Sequence, residues 1–237
     1  MEYLELLIIF LLSLTGAVIA RWLKSSNPIY LKLMIAFTGG FLLTVCLVHL
    51  LPEVYGAGLP DVAGFVLAGF IIQILLDQMS AGLEHGHVHI HNNSVWTPWI
   101  IITGLFLHAL LEGIPLGGHS HASCHESHDL LLAIALHKLP EGIALGFLLM
   151  QLKKPIWLNI TLMISFALMT PIGSLLTSSL PLALLVEWSP RLLALVIGLF
   201  LHLSTTILFE AGSEHHKVSG RRISAIMAGI VIAYLLH

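Results

Sequence analysis

Hydrophobic residues occupy most of the chain in long blocks, which are separated by short segments rich in charge, glycine or proline. A helix needs about 20 mainly apolar residues to cross the hydrocarbon of a bilayer. The predicted spans cover residues 3–20, 31–51, 61–79, 98–117, 129–150, 156–178, 190–209 and 221–236. The pattern therefore predicts eight transmembrane helices, of which the last is short for a full crossing.

The composition agrees with an all-α polytopic membrane protein that forms one domain over residues 1–237. Hydrophobic residues make up 57% of the chain and charged residues only 10%, against about 25% charged residues in soluble domains. The net charge is -3 with histidine counted neutral, and the basic residues are scattered. We therefore expect the lipid bilayer, and no nucleic acid, as a partner.

The placement of lysine and arginine predicts the orientation of the chain, because these residues favour cytoplasmic loops. If an even number of spans starts outside, the outer side holds only Arg191, and Lys138 lies within a span. The other eight basic residues then lie on the cytoplasmic side: Arg21, Lys24, Lys32, Lys153, Lys154, Lys217, Arg221 and Arg222. The reverse orientation would place eight of these basic residues outside and one in the cytoplasm, so both termini are expected outside the cytoplasm.

The fourth and fifth spans carry a short internal repeat. Residues 107–117 read Leu-His-Ala-Leu-Leu-Glu-Gly-Ile-Pro-Leu-Gly, and residues 136–146 read Leu-His-Lys-Leu-Pro-Glu-Gly-Ile-Ala-Leu-Gly, with eight of eleven positions identical. Each copy places a histidine and a glutamate four residues apart, and such positions share one face of a helix. The pairs are His108 with Glu112 and His137 with Glu141.

These four side chains predict a metal site within the membrane. An ionisable side chain at the bilayer centre costs at least roughly 2.5–3.5 kcal/mol, so it is expected to face a partner or a water-filled cavity. A divalent cation satisfies two carboxylates and two imidazoles together, and mixed nitrogen and oxygen ligands favour zinc and similar ions over calcium or magnesium. The small-xxx-small spacing of Gly113, Gly117, Gly142 and Gly146 predicts that the two helices approach closely enough to share one ion.

The two motifs resemble those of the ZIP family of metal transporters. That family carries a His-Asn-x-Pro-Glu-Gly type motif in its fourth span and a related His/Gln-acid-x-Pro-(Glu or His)-Glu/Gly type motif in its fifth. The resemblance covers the whole chain and includes residues 49–53, His-Leu-Leu-Pro-Glu. It implies that helices 1–3 and 6–8 form inverted repeats around helices 4 and 5, with alternating access beside that pair. It assigns the primary metal ligands to His108, Glu112, His137 and Glu141.

Three positions depart from the family pattern. The family lines a second metal position with the residue after each histidine and with an acid before the proline of the sixth span. Here these positions hold Ala109, Lys138 and Thr170, none of which keeps a metal-binding acid or amide. The departures predict a one-metal variant in which the Lys138 ammonium stands where a second cation would sit. The alternative is that Lys138 extends along another face of the helix.

Three further residues are candidates for the ion pathway. His202, in the seventh span, could flank the path or hydrogen-bond a neighbouring helix. His49 and Glu53, near the outer end of the second span, could guide ions inward or meet lipid headgroups. Gln73 and Asp77, one turn apart in the third span, are interpreted as a helix-packing or interfacial pair and not as ligands.

Two histidine-rich loops are candidates for metal capture at the two mouths of the path. The loop at 80–97 is expected on the cytoplasmic side, and the loop at 118–128 on the outer side. The alternative is that both are solvated loops without a metal role. Their histidines are His85, His87, His89 and His91 in the first loop, and His119, His121, His125 and His128 in the second.

Together these observations predict transport of a divalent metal ion into the cytoplasm, most favourably zinc, with cadmium, iron or manganese as the alternatives. No catalytic cofactor and no enzyme activity are expected, and a homodimer is left open. The main alternative is an intramembrane zinc-dependent hydrolase, in which a metal with one open position activates water. A metal-sensing or storage protein would share the ligands but would need no path.

Deleting residues 85–91 should lower uptake only when metal is scarce, because a loop that gathers ions changes capture and not the crossing step. The maximal rate of zinc uptake should survive in proteoliposomes. Complete inactivation of a correctly inserted deletion would show instead that the loop is structural.

Overall fold

The computed structural model describes residues 3–23, 28–83, 96–118, 124–213 and 220–236. Within these ranges the regular structure is helical and contains no strand. The α-helices are α1 (Tyr3–Leu23), α2 (Pro28–Thr44), α3 (Leu51–Gly56), α4 (Val62–Ser80), α5 (Thr97–Gly118), α6 (Cys124–Gln151), α7 (Ile156–Ser178), α8 (Leu182–Ser213) and α9 (Gly220–Leu235).

These segments make up the eight helical spans that the hydrophobic pattern predicts. A π-helical turn at Val45–Leu50 joins α2 to α3, so that 29–56 form one continuous span. Seven of the described helices are long and apolar enough to cross a membrane. The eighth, α9, has 16 residues and a length of about 24 Å, below the roughly 30 Å of the hydrocarbon core. The all-α polytopic fold class is therefore confirmed, and the last span is short as expected.

Two helix boundaries differ from the predicted ones. The seventh span was expected to begin at Pro190, but α8 begins eight residues earlier, at Leu182, and continues through the proline. Pro190 lacks a backbone N–H and so removes one hydrogen bond of the helix. At the next residue, the Nη1 of Arg191 donates to the carbonyl oxygen of Glu187. The fifth span was expected to begin at Asp129, whereas α6 already begins at Cys124. Part of the predicted 118–128 loop is therefore helical.

The helices associate in two bundles, each named here after two of its helices. The α5–α6 bundle contains α1, α5, α6 and α7, in which α1 packs on α6, α5 packs on α7 and α1 also meets α7. The α4–α8 bundle contains α2, α4, α8 and α9, in which α4 packs on α8 and α2 packs on α9. The bundles meet where α4 and α8 contact α5 and where α2 contacts α6.

The pairing of the helices has the symmetry expected of inverted repeats. If α1, α2 and α4 exchange with α7, α8 and α9, and α5 with α6, the α1–α6 contact becomes the α7–α5 contact. The same exchange turns the α4–α8 contact into the α9–α2 contact. The two helices that carry the repeated motif therefore occupy equivalent places, each packed against the first helix of one repeat.

The repeated glycines do not act as predicted. Gly113 and Gly117 of α5 lie against backbone carbonyl oxygens of α7, and Gly142 and Gly146 of α6 lie against α1. The prediction that they bring α5 and α6 together is therefore wrong. The glycines are on the helix faces that point away from the partner motif, and α5 and α6 make few direct approaches to each other. This leaves the histidine and glutamate faces to meet through their side chains.

Gly113→Ala should destabilise the protein, because the new Cβ would overlap the carbonyl oxygen of Thr170 in α7. Overpacking of this kind typically costs about 1–3 kcal/mol, which should lower the Tm in detergent by several degrees. Gly64→Ala is the matched control, since a Cβ at Gly64 meets nothing within 4 Å. Equal Tm values for the two variants would contradict the packing described.

Candidate metal centre

Helix α5 contributes one histidine and one glutamate to a buried cluster at membrane depth. His108 and Glu112 are both 0% exposed. Because they lie one helical turn apart on one face, the Nε2 of His108 is 3.5 Å from the Oε2 of Glu112. The helix therefore presents a nitrogen donor and an oxygen donor to the same small volume.

Helix α6 brings the second pair against the first. His137 and Glu141 are each 1% exposed, and the ring of His137 meets the ring of His108 edge to face, with centroids 6.1 Å apart. Ligand atoms of His108, His137 and Glu141 all lie within 4.8 Å of one another. Two nitrogen donors and one oxygen donor from two helices therefore converge on one point, which is the donor set that zinc prefers.

Lys138 of α6 contacts both glutamates of the cluster. The Nζ of Lys138 forms an ion pair with the Oε1 of Glu112 and lies 2.6 Å from the Oε2 of Glu141. It also lies 5.0 Å from the ring centroid of Phe166, at a distance where an aromatic face attracts a cation. Lys138 therefore faces the cluster and does not extend along another face of α6. With both histidines neutral, both carboxylates ionised and Lys138 protonated, the charges of the cluster sum to minus one.

Thr170 of α7 contacts the same oxygen of Glu112 as Lys138 does. Its Oγ1 is 2.9 Å from the Oε1 of Glu112 and 2.9 Å from the carbonyl oxygen of Ala109. The three positions that depart from the ZIP pattern, Ala109, Lys138 and Thr170, therefore gather around one glutamate. An ammonium and a hydroxyl occupy the space beside Glu112 to which the family resemblance assigns a second metal.

A residue of the other bundle reaches the cluster. Gln73 of α4 is 0% exposed, and its Oε1 lies 2.9 Å from the Nδ1 of His108. Sequence reasoning interpreted Gln73 as a packing residue and missed this contact. The available signal was a buried amide in an apolar span, since such a group is expected to find a polar partner.

Two of the pathway candidates lie in the π-helical turn and in α3. His49, in the π-helical turn, is buried, and its Nδ1 is 2.8 Å from the Oδ2 of Asp129 near the start of α6. Glu53 is half-buried one turn further along, in α3. Sequence reasoning missed Asp129, because it treated this residue only as the beginning of a span. The π-helical turn and the first part of α6 are thus joined by a polar contact.

His202 lies within the α4–α8 bundle. Its ring packs against Phe70 of α4, with centroids 5.1 Å apart, and its Nδ1 is 3.3 Å from the Oγ1 of Thr206 in its own helix. Among the described residues, the donor atoms that converge are those of α5 and α6. His202 is therefore placed between two helices of the second bundle, and its nitrogens are not among the converging donor atoms.

The loop histidines lie outside the described part of the chain. His85, His87, His89, His91, His119 and His121 fall between described ranges, and only the backbone is described for His125 and His128, in the first turns of α6. Their predicted role in capturing metal stays a prediction.

Two named relatives have similar sequences. Protein zntD of Dictyostelium discoideum is 34% identical over 107 residues, which are 40% of this chain and 15% of that protein. Zinc transporter 5 of Oryza sativa subsp. japonica is 25% identical over 190 residues, which are 58% of this chain and 53% of that protein. The chain therefore spans about a seventh and about half of the lengths of these relatives.

A family model matches a larger part of the chain. Residues 84–237, which are more than half of the sequence, match the family described as ZIP Zinc transporter. The matched region includes α5 and α6, and so includes all four members of the repeated His/Glu motif. The chain therefore belongs to the ZIP zinc transporter family.

Proposed function

We propose that this protein carries a divalent metal ion, most favourably zinc, into the cytoplasm by alternating access. The observation that carries the proposal is the convergence of buried donor atoms from His108, His137 and Glu141 within 4.8 Å, on two helices that cross the membrane. Buried ionisable groups at membrane depth are typical of ion pathways. The description of the family and the name of the relative Zinc transporter 5 support zinc as the substrate.

His108, His137 and Glu141 act as the first three ligands, and Glu112 supplies the fourth from α5. Nitrogen and carboxylate donors also suit other first-row ions, so iron, manganese and the zinc-like cadmium ion are further candidate substrates. In the absence of metal, the ammonium of Lys138 compensates the two carboxylates, with which it is in contact. Metal arrival then competes with Lys138 for the oxygens of Glu112 and Glu141.

The site holds one transported ion at a time. A second cation beside Glu112 would meet the Lys138 ammonium, which cannot coordinate metal while protonated, and the Thr170 hydroxyl. Mutual repulsion of like charges in a low-dielectric setting opposes such a second ion. A one-metal centre therefore follows from the side chains that surround Glu112.

The path leads from the outer side past His49 and Glu53, and both termini lie outside the cytoplasm. The contact between His49 and Asp129 places polar atoms where α2 and α6 meet at that end. The histidine-rich loops gather metal at the two mouths. The sequence leaves a homodimer open.

A hydrolase using the same metal is the alternative from another functional class. It would need a ligand set with one open position and a water-activating role for the bound metal. The family to which the chain belongs is described as a zinc transporter family, and this favours transport. Zinc flux into proteoliposomes without hydrolytic activity is the expected result.

His108→Ala and Glu141→Ala should each cripple zinc transport while leaving membrane insertion intact. Loss of a direct ligand should weaken binding by more than the roughly 10–100-fold that loss of an outer partner costs. Isotopic zinc uptake and zinc affinity of the purified protein are the measurements. Glu187→Ala removes an exposed carboxylate and is the control. Wild-type uptake by both ligand variants would rule out the assigned site.

Lys138→Met should destabilise the metal-free protein, because it leaves Glu112 and Glu141 buried without their cation. Breaking a buried ion pair by removing one partner typically costs about 3–5 kcal/mol, and added zinc should restore part of the loss. The Tm in detergent, with and without zinc, measures the effect. Lys154→Met, at an exposed lysine, should have little effect on either value. A metal-free Tm equal to that of the wild type would contradict the role of Lys138.

Lys138→Asp adds a third carboxylate to the cluster. It should raise the number of bound metal ions per protein toward two, or else destabilise the metal-free protein more than Lys138→Met does. The measurement is the metal content of purified protein from which the loop histidines have been removed, with Lys154→Asp as control. Two tightly bound ions in the wild-type core would exclude the one-metal centre.

A further inference from the structure

Gln73 contacts the ring of His108, although it does not belong to α5 or α6, the helices that carry the repeated motif. It belongs to α4, in the α4–α8 bundle, and its side chain is fully buried. Its Oε1 lies 2.9 Å from the Nδ1 of His108, which is within hydrogen-bond distance. The contact therefore joins the two bundles at one of the candidate ligands.

The chemistry of this contact determines which nitrogen of His108 carries a proton. An amide oxygen only accepts hydrogen bonds, so the Nδ1 must donate. A neutral imidazole with a proton on Nδ1 has its lone pair on Nε2. The Nε2 is the nitrogen on the side of the cluster, 3.5 Å from the Oε2 of Glu112. The hydrogen bond therefore selects the tautomer in which the inward nitrogen can bind a metal.

We propose that Gln73 is a positioning residue that sets the tautomer and the orientation of His108 for metal binding. The proposal rests on the proposed function, since it assumes that His108 is a ligand. Metal-binding histidines commonly donate their other N–H to a carboxylate or carbonyl acceptor, and loss of that acceptor typically weakens metal binding about 10–100-fold. Gln73 supplies this acceptor from a helix that lies outside the repeated motif.

The neutral amide also tunes the strength of the site. A carboxylate in the same place would make the imidazole a stronger ligand, because a negative acceptor increases the electron density on the ring. A transporter must release its ion as well as bind it. Gln73 therefore gives His108 the correct tautomer without the tighter metal binding that a charged partner would cause, and this favours release of the ion.

Two substitutions separate positioning from packing. Gln73→Met preserves the approximate length of the side chain but removes the acceptor oxygen, whereas Gln73→Glu preserves an acceptor and adds a charge. The control variants are Gln78→Met and Gln78→Glu, at an exposed position on the same helix. Zinc affinity is measured on the purified full chain by competition with a chelating dye, and uptake is measured in proteoliposomes.

Gln73→Met should bind zinc about 10–100-fold more weakly than the wild type. Gln73→Glu should bind at least as tightly as the wild type but show a lower maximal uptake rate, because release becomes slower. A purely packing role predicts the reverse order, since a buried extra charge disturbs packing more than a methionine does. Wild-type affinity in Gln73→Met, or weak binding in both variants, would overturn the proposal.

A measurement on the wild type keeps the test decisive if Gln73→Met fails to fold. In metal-free protein with 15N-labelled histidine, the signal that is lost in His108→Ala should show a proton on Nδ1. A proton on Nε2 instead would overturn the proposal for Gln73. Failure of the metal site itself has a different signature, because His108→Ala would then bind and carry zinc as the wild type does.

Discussion

The buried ion pairs of Lys138 with Glu112 and Glu141 are the interaction on which the centre of the molecule depends. Two carboxylates fully buried among membrane spans would otherwise have no compensating charge in a medium that strongly penalises isolated ions. An internal ammonium allows both helices of the motif to be packed face to face before any metal arrives. Under the proposed function, a divalent cation would exchange with this ammonium, so that metal binding would replace the single charge of Lys138 by the double charge of the ion.

Close packing behind the motif helices makes this arrangement possible. Small residues let α5 lie directly on α7 and α6 directly on α1, so that the polar faces of α5 and α6 are directed toward each other. Thr170, on the helix that α5 contacts, adds its hydroxyl to the same cluster. The backbone contacts and the polar contacts therefore depend on each other, because the positions of four helices determine the positions of the four side chains of the His/Glu motif.

Much of this architecture could be predicted from the chain because the bilayer imposes a simple length requirement. The eight hydrophobic blocks correspond to eight helical spans. The His/Glu repeat indicated the buried cluster, because positions i and i+4 share one face of a helix. The start of α8 was missed because Pro190 was taken as a boundary, although proline within a membrane helix is tolerated. The partners of the glycines, and the contacts of Gln73 and Asp129, depend on which helices are neighbours, and a single sequence carries little information about that.

The hydrogen bond between Gln73 and His108 crosses from one bundle to the other, and this has a thermodynamic consequence. If Gln73 strengthens metal binding, a movement that separates α4 from α5 weakens the site by the same free energy. Linkage is reciprocal, so a bound ion must stabilise the arrangement in which the two bundles are in contact at this point. The bond would therefore couple the occupancy of the site to the conformation of the whole protein, through one amide that never touches the metal.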